Sequence, residues 1–362
     1  MNRRLVAQLA GSLVVGAALL ALVMRPLFQE LSAQGQSPWQ ALGDAFVSVS
    51  PGSLVVYGLL FLVVHVTRVW RWVVQVQPLG ESDRRLIFRV CAIGYAAIVA
   101  FPFRIGEVVR PYLLARESDN VGFEAALGTA VTERVIDGLV ITGLLFVAVW
   151  TAPIAPGPAV LAAGTASAVV FASATIGLVL FVVAHDLAVK LLHGTIGRVS
   201  AGLANRLESM LEGFVEGLRS LGRSGTLVPF FVLTAVYWGV NALGIWWLAR
   251  SFGLMVPLYS GLGLLAVLVV GLMVPGAPGF LGNFQLALDR GLRLYLGDAA
   301  IGATGLAFAL TMNVIQLVLQ IGFAVPFLAR SHIGVRGLVD LQQQASDARP
   351  DDADEERDAT DA

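Results

Sequence analysis

The feature that most constrains this chain is a succession of apolar runs, each close to the length needed to cross a bilayer. Leu5–Met24, Leu54–Val74, Phe123–Trp150, Ala159–Ala184, Val228–Leu248, Leu258–Val274 and Ile301–Leu328 are dominated by Leu, Val, Ala, Ile and Phe. A transmembrane helix needs about 20 such residues to span about 30 Å of hydrocarbon. In that solvent the backbone must satisfy its own hydrogen bonds, so runs of this length are helices. The composition agrees. Charged residues make up 14% of the chain and mean hydropathy is +0.77, where a soluble domain carries about 25% charge. The sequence predicts an all-α, polytopic transmembrane helix bundle of about seven to eight hydrophobic helices.

Between the spans the composition changes. Residues 25–52, with Pro38, Trp39 and Asp44, read as an exterior loop carrying a short interfacial helix. The second span ends in Arg68, Trp70, Arg71 and Trp72, a pattern of interfacial anchors. Residues 185–223 carry Lys190 and several Arg. There Glu208, Glu212 and Glu216 recur every four residues, as on one face of a surface helix. Positive charge gathers at Arg3/Arg4, 68–89, 190–223 and Arg330/Arg336, which puts both termini on the cytoplasmic side of a cell membrane. The Arg-rich start before Leu5 resembles a secretory signal, but the apolar run is long enough to stay as a first helix. Residues 1–336 read as the membrane domain and 337–362 as an acidic, disordered tail. The overall charge of −1 gives no reason to expect a nucleic-acid partner. Every basic residue but Lys190 is Arg, a preference that suits phosphate and carboxylate recognition and that genomic base composition also produces.

Two segments are too short to cross. Cys91–Phe103 stops at Phe101-Pro102-Phe103, and Phe284–Leu296 follows the Gly/Pro-rich stretch 275–282. Short apolar pieces broken by Pro or Gly are the mark of re-entrant or discontinuous helices, and a pair of them raises the possibility of inverted repeats. The candidate site residues collect around these breaks. Arg104, Glu107 and Arg110 are spaced so that, on a helix, Glu107 can pair with either arginine. Glu133, Arg134 and Asp137 follow where the next helix turns apolar. Six charges left unpaired in the membrane would cost on the order of 15 kcal/mol. They must pair, line a wet cavity that binds an anionic head group, or lie at helix ends outside the hydrocarbon. Asn283 and Gln285 open the helix after the second break, where free N–H groups favour an anion; an ordinary turn is the alternative. Asn313, Gln316 and Gln320 share a helix face and read as polar glue between helices or as the lining of a path, as do Tyr237 and Asn241. The four histidines lack ligand spacing and read as interfacial; the single Cys91 reads as a packing residue. There is no Walker loop, zinc motif or nucleophile elbow, and no metal or cofactor is expected.

Taken together, Arg71-Trp72, Gly94-Tyr95, Pro102-x-Arg104-x-Gly106-Glu107-x-x-Arg110, Ala126-Leu127-Gly128, Glu133-Arg134-x-x-Asp137 and the late Pro275-Gly-x-Pro278-Gly-x-x-Gly282 resemble the flippase-like membrane domain of lysylphosphatidylglycerol synthases. The resemblance covers nearly the whole chain before the acidic tail. It implies translocation of a phospholipid or lipid-linked amphiphile between leaflets, without covalent chemistry. By position, Arg104, Glu107, Arg110, Glu133, Arg134 and Asp137 would form the cavity. Gln285 stands where related chains often carry Glu, which removes a negative charge. The aminoacyl-transfer domain of those synthases is not matched, so lysyl-lipid synthesis is not expected. The implied partners are an anionic or aminoacylated phospholipid or a polyprenyl-linked lipid, with a homodimer or a lipid-modifying enzyme as protein partner. A membrane transferase using Glu107, Glu133 or Asp137 as base, and an accessory scaffold for such an enzyme, are the alternatives.

Overall fold

The computed structural model describes residues 3–81, 83–100, 106–183, 185–198, 200–205, 207–209, 211–212, 215, 225–274 and 276–331. The described residues form an all-α bundle. Its helices are α1 (Arg3–Ala33), α2 (Pro38–Ser48), α3 (Pro51–Val76), α4 (Arg84–Ala100), α5 (Gly106–Glu117), α6 (Phe123–Thr151), α7 (Pro158–Val183), α8 (His185–Thr195), α9 (Leu227–Ser251), α10 (Ser260–Met273), α11 (Asn283–Leu292) and α12 (Asp298–Ser331). Residues 201–215 are helical wherever they are described. Arg104, the glutamate at 216 and the acidic tail lie outside the described residues.

Local chemistry sets the helix ends. Ser37 and Ser50 each accept a backbone N–H from three residues on, and Pro38 and Pro51 occupy the first helical positions, where a missing N–H costs nothing. At the far end of α9, Gly253 takes φ +80°, which lets the Leu254 N–H reach back to the Ala249 carbonyl. The first span runs past Met24 and through Pro26 to Ala33. The expected interfacial helix is α2, which rests on α12.

Among the described residues, five helices are long and apolar enough to cross a bilayer: Ala10–Ala33, Pro51–Leu79, Phe123–Thr151, Leu227–Ser251 and Ile301–Ala329. No more than 33% of any of their apolar windows is buried. The rest faces outward with side chains such as Val14, Leu59, Phe146, Phe231 and Val318. Apolar faces this extensive belong in lipid.

The short helices are inside. Helices α4 and α5 pack as one hairpin and α10 and α11 as another. At 1.5 Å per residue, the 17 residues of α4 reach about 26 Å and the 10 of α11 about 15 Å, short of the hydrocarbon thickness. Every residue from 90 to 99 is buried, including Cys91. Long helices enclose both hairpins: α12 covers α4, α6 covers α5 and α10, α1 covers α11, and α3 packs along α9. The Gly/Pro-rich stretch after α10 thus links the two helices of one interior hairpin, the first break lies outside the described residues, and the cavity described next lies between the two hairpins.

Candidate functional site

Three helices bring charge into the interior and a fourth brings a hydroxyl. Helix α3 supplies Arg68 and Arg71 one turn apart, α4 supplies Tyr95, α5 supplies Glu107 and Arg110, and α6 supplies Glu133, Arg134 and Asp137. These groups sort into an inner layer and a cavity wall.

The inner layer is sealed. Arg71 donates to both carboxylate oxygens of Asp137, at 2.7 and 3.4 Å, and the Trp238 indole N–H adds a third bond to Asp137 at 3.2 Å. Arg110 donates to Glu133 at 2.7 Å and to the Tyr95 hydroxyl at 2.8 Å. Arg71 and Glu133 are 0% exposed. Trp72 is equally buried, with its indole N–H on Thr129 and its ring beneath the Arg110 guanidinium at 4.5 Å. Charges this deep are tolerated because each is paired and hydrogen-bonded. Gly94 makes the close seat possible: a Cβ there would lie 2.8 Å from the Cβ of Arg110.

The cavity wall is different. A cavity of about 130 Å³, several times the roughly 30 Å³ one water occupies in the liquid, opens between α3, α6, α9, α10 and α12. Arg68 and Arg134 line it, with His65, Asn241, Gln316 and Gln320. Arg134 pairs with Glu107 at 3.2 Å across the α5–α6 contact. Arg68 has no carboxylate within ion-pair distance among the described residues; its guanidinium lies 3.9 Å from the centre of the Tyr95 ring. His65, 3% exposed, sits among Phe61, Tyr95 and Phe323, and its Nε2 has no hydrogen-bond partner among the described residues. Among the described residues of these layers, four arginines (68, 71, 110, 134) face three acids (107, 133, 137), an excess of one positive charge.

The second break is held by its own amides. Asn283 donates to the Val274 carbonyl at 2.9 Å, satisfying the end of α10. Gln285 turns back so that its side-chain oxygen accepts the Gly282 N–H at 2.7 Å, while its amide nitrogen donates to Asn313 at 3.3 Å. Asn313 in turn donates to the Gly279 carbonyl at 2.9 Å. The helix N–H groups that would have met an anion are in part consumed by the chain itself. Neither Asn283 nor Gln285 lines the cavity. Gln285 stands one hydrogen bond behind it, through Asn313.

Of the site residues anticipated from sequence, Glu107, Arg110, Glu133, Arg134 and Asp137 therefore come together. Arg110 meets Glu133 on the next helix and Glu107 meets Arg134 there, while Arg104, the other arginine expected near Glu107, lies outside the described residues. Two roles are corrected outright. Arg71 and Trp72 are not interfacial anchors, and His65 is not interfacial, because all three are buried in the bundle. Arg68 was grouped with the same anchors, although the apolar pattern runs on past it through Val69, Val73 and Val76, each 0% exposed. That continuation is the signal that the helix stays inside. Asn313 and Gln316 act as the polar glue considered for them, Gln316 tying α12 to the Tyr57 hydroxyl at 2.8 Å, and Asn313, Gln316 and Gln320 all line the cavity.

Comparison with curated proteins gives no match. The profile of the family described as the lysylphosphatidylglycerol synthase TM region matches residues 6–323. That stretch takes in both interior hairpins, the ion-paired layer and the cavity. This membrane protein belongs to the lysylphosphatidylglycerol synthase TM region family.

Proposed function

We propose that the protein moves a lipid between leaflets, passing the head group through the Arg68–Arg134 cavity while the acyl chains remain in the surrounding hydrocarbon. The observation that carries this reading is a polar, positively charged cavity enclosed by helices whose outer faces suit lipid. A charge at mid-bilayer costs about 2.5–3.5 kcal/mol on insertion scales. A cavity that already holds cations and amides at that depth lowers the barrier a polar head group meets. Membership of the family is consistent with a lipid-handling role.

The distribution of charge supports an orientation for this movement. With α1 leaving the cytoplasm, α3 ends on that side beside Arg84, Arg85 and Arg89, and α8, with Lys190, also lies there. The first hairpin then enters from the cytoplasm and the second from the opposite side, as in transporters built from inverted repeats. Both termini fall in the cytoplasm, and the host bilayer is the cell membrane.

The test is reconstitution. Vesicles holding the full chain and a trace of fluorescent phospholipid are treated with a membrane-impermeant quencher. Lipid movement shows as quenching beyond the outer-leaflet half. Filling the cavity by Asn241→Trp is expected to slow it at least tenfold. Vesicles that quench like protein-free ones, with neutral, anionic and polyprenyl-phosphate lipids alike, rule the reading out.

A further inference from the structure

We infer that the cavity selects a phosphate-bearing head group that carries net negative charge and no amino group, and that it discriminates against aminoacylated head groups. This inference rests on the translocation reading above and goes beyond it by naming the substrate class.

The acids nearest the cavity are already engaged. Asp137 is held by Arg71 and Trp238, Glu133 by Arg110, and Glu107 by Arg134. Among the described residues no acid lines the cavity, while two arginines do. An ammonium group entering it would meet Arg68 without a counter-charge. A phosphate diester meets a guanidinium whose planar fork fits two of its oxygens. It would also neutralise the one positive charge that the network leaves in excess. Burial makes this matter more, because a charge is poorly screened away from bulk water.

A second, independent observation points the same way. His65 is one turn from Arg68 on α3, lines the same cavity and is almost fully buried, yet its Nε2 has no partner among the described residues. Buried polar atoms are nearly always satisfied. A head-group oxygen, on the phosphate or on a neutral alcohol such as glycerol, can take a hydrogen bond from this ring. Asn241 and Gln320 on facing helices offer further amide contacts to such hydroxyls without demanding a charge.

Three fluorescent lipids sharing one acyl frame distinguish the alternatives: phosphatidylglycerol, phosphatidylethanolamine and lysyl-phosphatidylglycerol, with net charges of about −1, 0 and +1 from the ordinary pKa values of their groups. In vesicles containing the full chain, the glycerol lipid should cross at least tenfold faster than the lysyl lipid. Asn241→Asp, which puts an acid into the cavity, should narrow or reverse that ratio. Arg68→Gln should cut the glycerol-lipid rate at least tenfold, and Arg68→Lys should restore part of it. Each variant is first checked for a wild-type elution profile and melting curve in detergent. Equal rates for the three lipids, or a faster lysyl lipid, overturn the charge selection while leaving translocation standing. If nothing crosses, the translocation reading fails. Thermal stabilisation of the detergent-solubilised protein by each lipid then decides selection alone, with equal shifts overturning it. Inorganic phosphate separates a lipid head group from a free anion: no competition is expected, whereas uptake of phosphate and loss of lipid movement in its presence would overturn the lipid assignment.

Discussion

Arg68 and Arg71 stand one helical turn apart on α3, and their surroundings differ in one decisive respect. Arg71 reaches inward to an aspartate that Trp238 also holds, and it is completely buried. Arg68 lies over the Tyr95 ring, with no carboxylate partner among the described residues, and it lines an open cavity. The same residue type therefore serves two purposes. In the sealed layer, a charge is matched so that the bundle can close over it. In the cavity wall, a charge is left unmatched so that something else can match it. Tyr95 joins the two, accepting a hydrogen bond from Arg110 while its ring supports Arg68.

This contrast can be broken by experiment. The largest effect should come from Glu133→Ala, which strands the Arg110 guanidinium. Losing one partner of a buried pair costs about 3–5 kcal/mol, measured as unfolding in detergent. The double variant Arg110→Met/Glu133→Leu should lose much less than the sum of the two single changes. If Glu133→Ala unfolds like wild type, the inner layer is not structural. Next, Gly94→Leu should cost about 1–3 kcal/mol by overpacking against Arg110. A smaller loss would mean that α4 and α5 can separate freely. In the cavity, Arg68→Gln should keep stability within about 1 kcal/mol of wild type, or raise it, because no buried partner is stranded. Its lipid movement should still fall at least tenfold. Equal damage to folding at Arg68 and Arg71 would erase the distinction. Smallest of all should be Glu117→Gln, which breaks the partly exposed Arg89–Glu117 pair and should change stability by less than about 1 kcal/mol.

The sequence made the bundle and its breaks legible for a simple reason. Hydrocarbon imposes one length and one secondary structure on every crossing segment, and Pro102, Pro275, Pro278 and the nearby glycines interrupt that pattern visibly. The charged residues were also legible as a group, because charges beside apolar runs are costly. Their pairing was not. Spacing along one helix suggested Glu107 with Arg104 or Arg110, but Arg110 meets Glu133 across helices, and Glu107 makes a contact with Arg134 that no local spacing announces. Which helices touch is a property of packing, and local spacing does not contain it. The same limit hid Arg68 and His65. An arginine and a tryptophan near the end of a span satisfy the anchor pattern, and only the position of α3 against the inner hairpin puts them inside. Gln285 shows the converse: a helix start that invites an anion is occupied by the residue's own side chain.

The second break also bears on how the protein is made. Gly16 of α1 lies so close to the Gly282 backbone that neither position has room for a side chain, and a Cβ on Gly16 would fall 2.5 Å from that of Ala277. The Tyr57–Gln316 bond likewise joins residues 259 apart in the chain. Helix α1 thus leaves the ribosome long before the segment that seats it. At about 5–20 residues per second, α1 must wait on the order of tens of seconds, with its glycine face turned to lipid, before its partner exists. Insertion and assembly are therefore separate events for this chain, and the second hairpin, arriving late, locks the first helix in place.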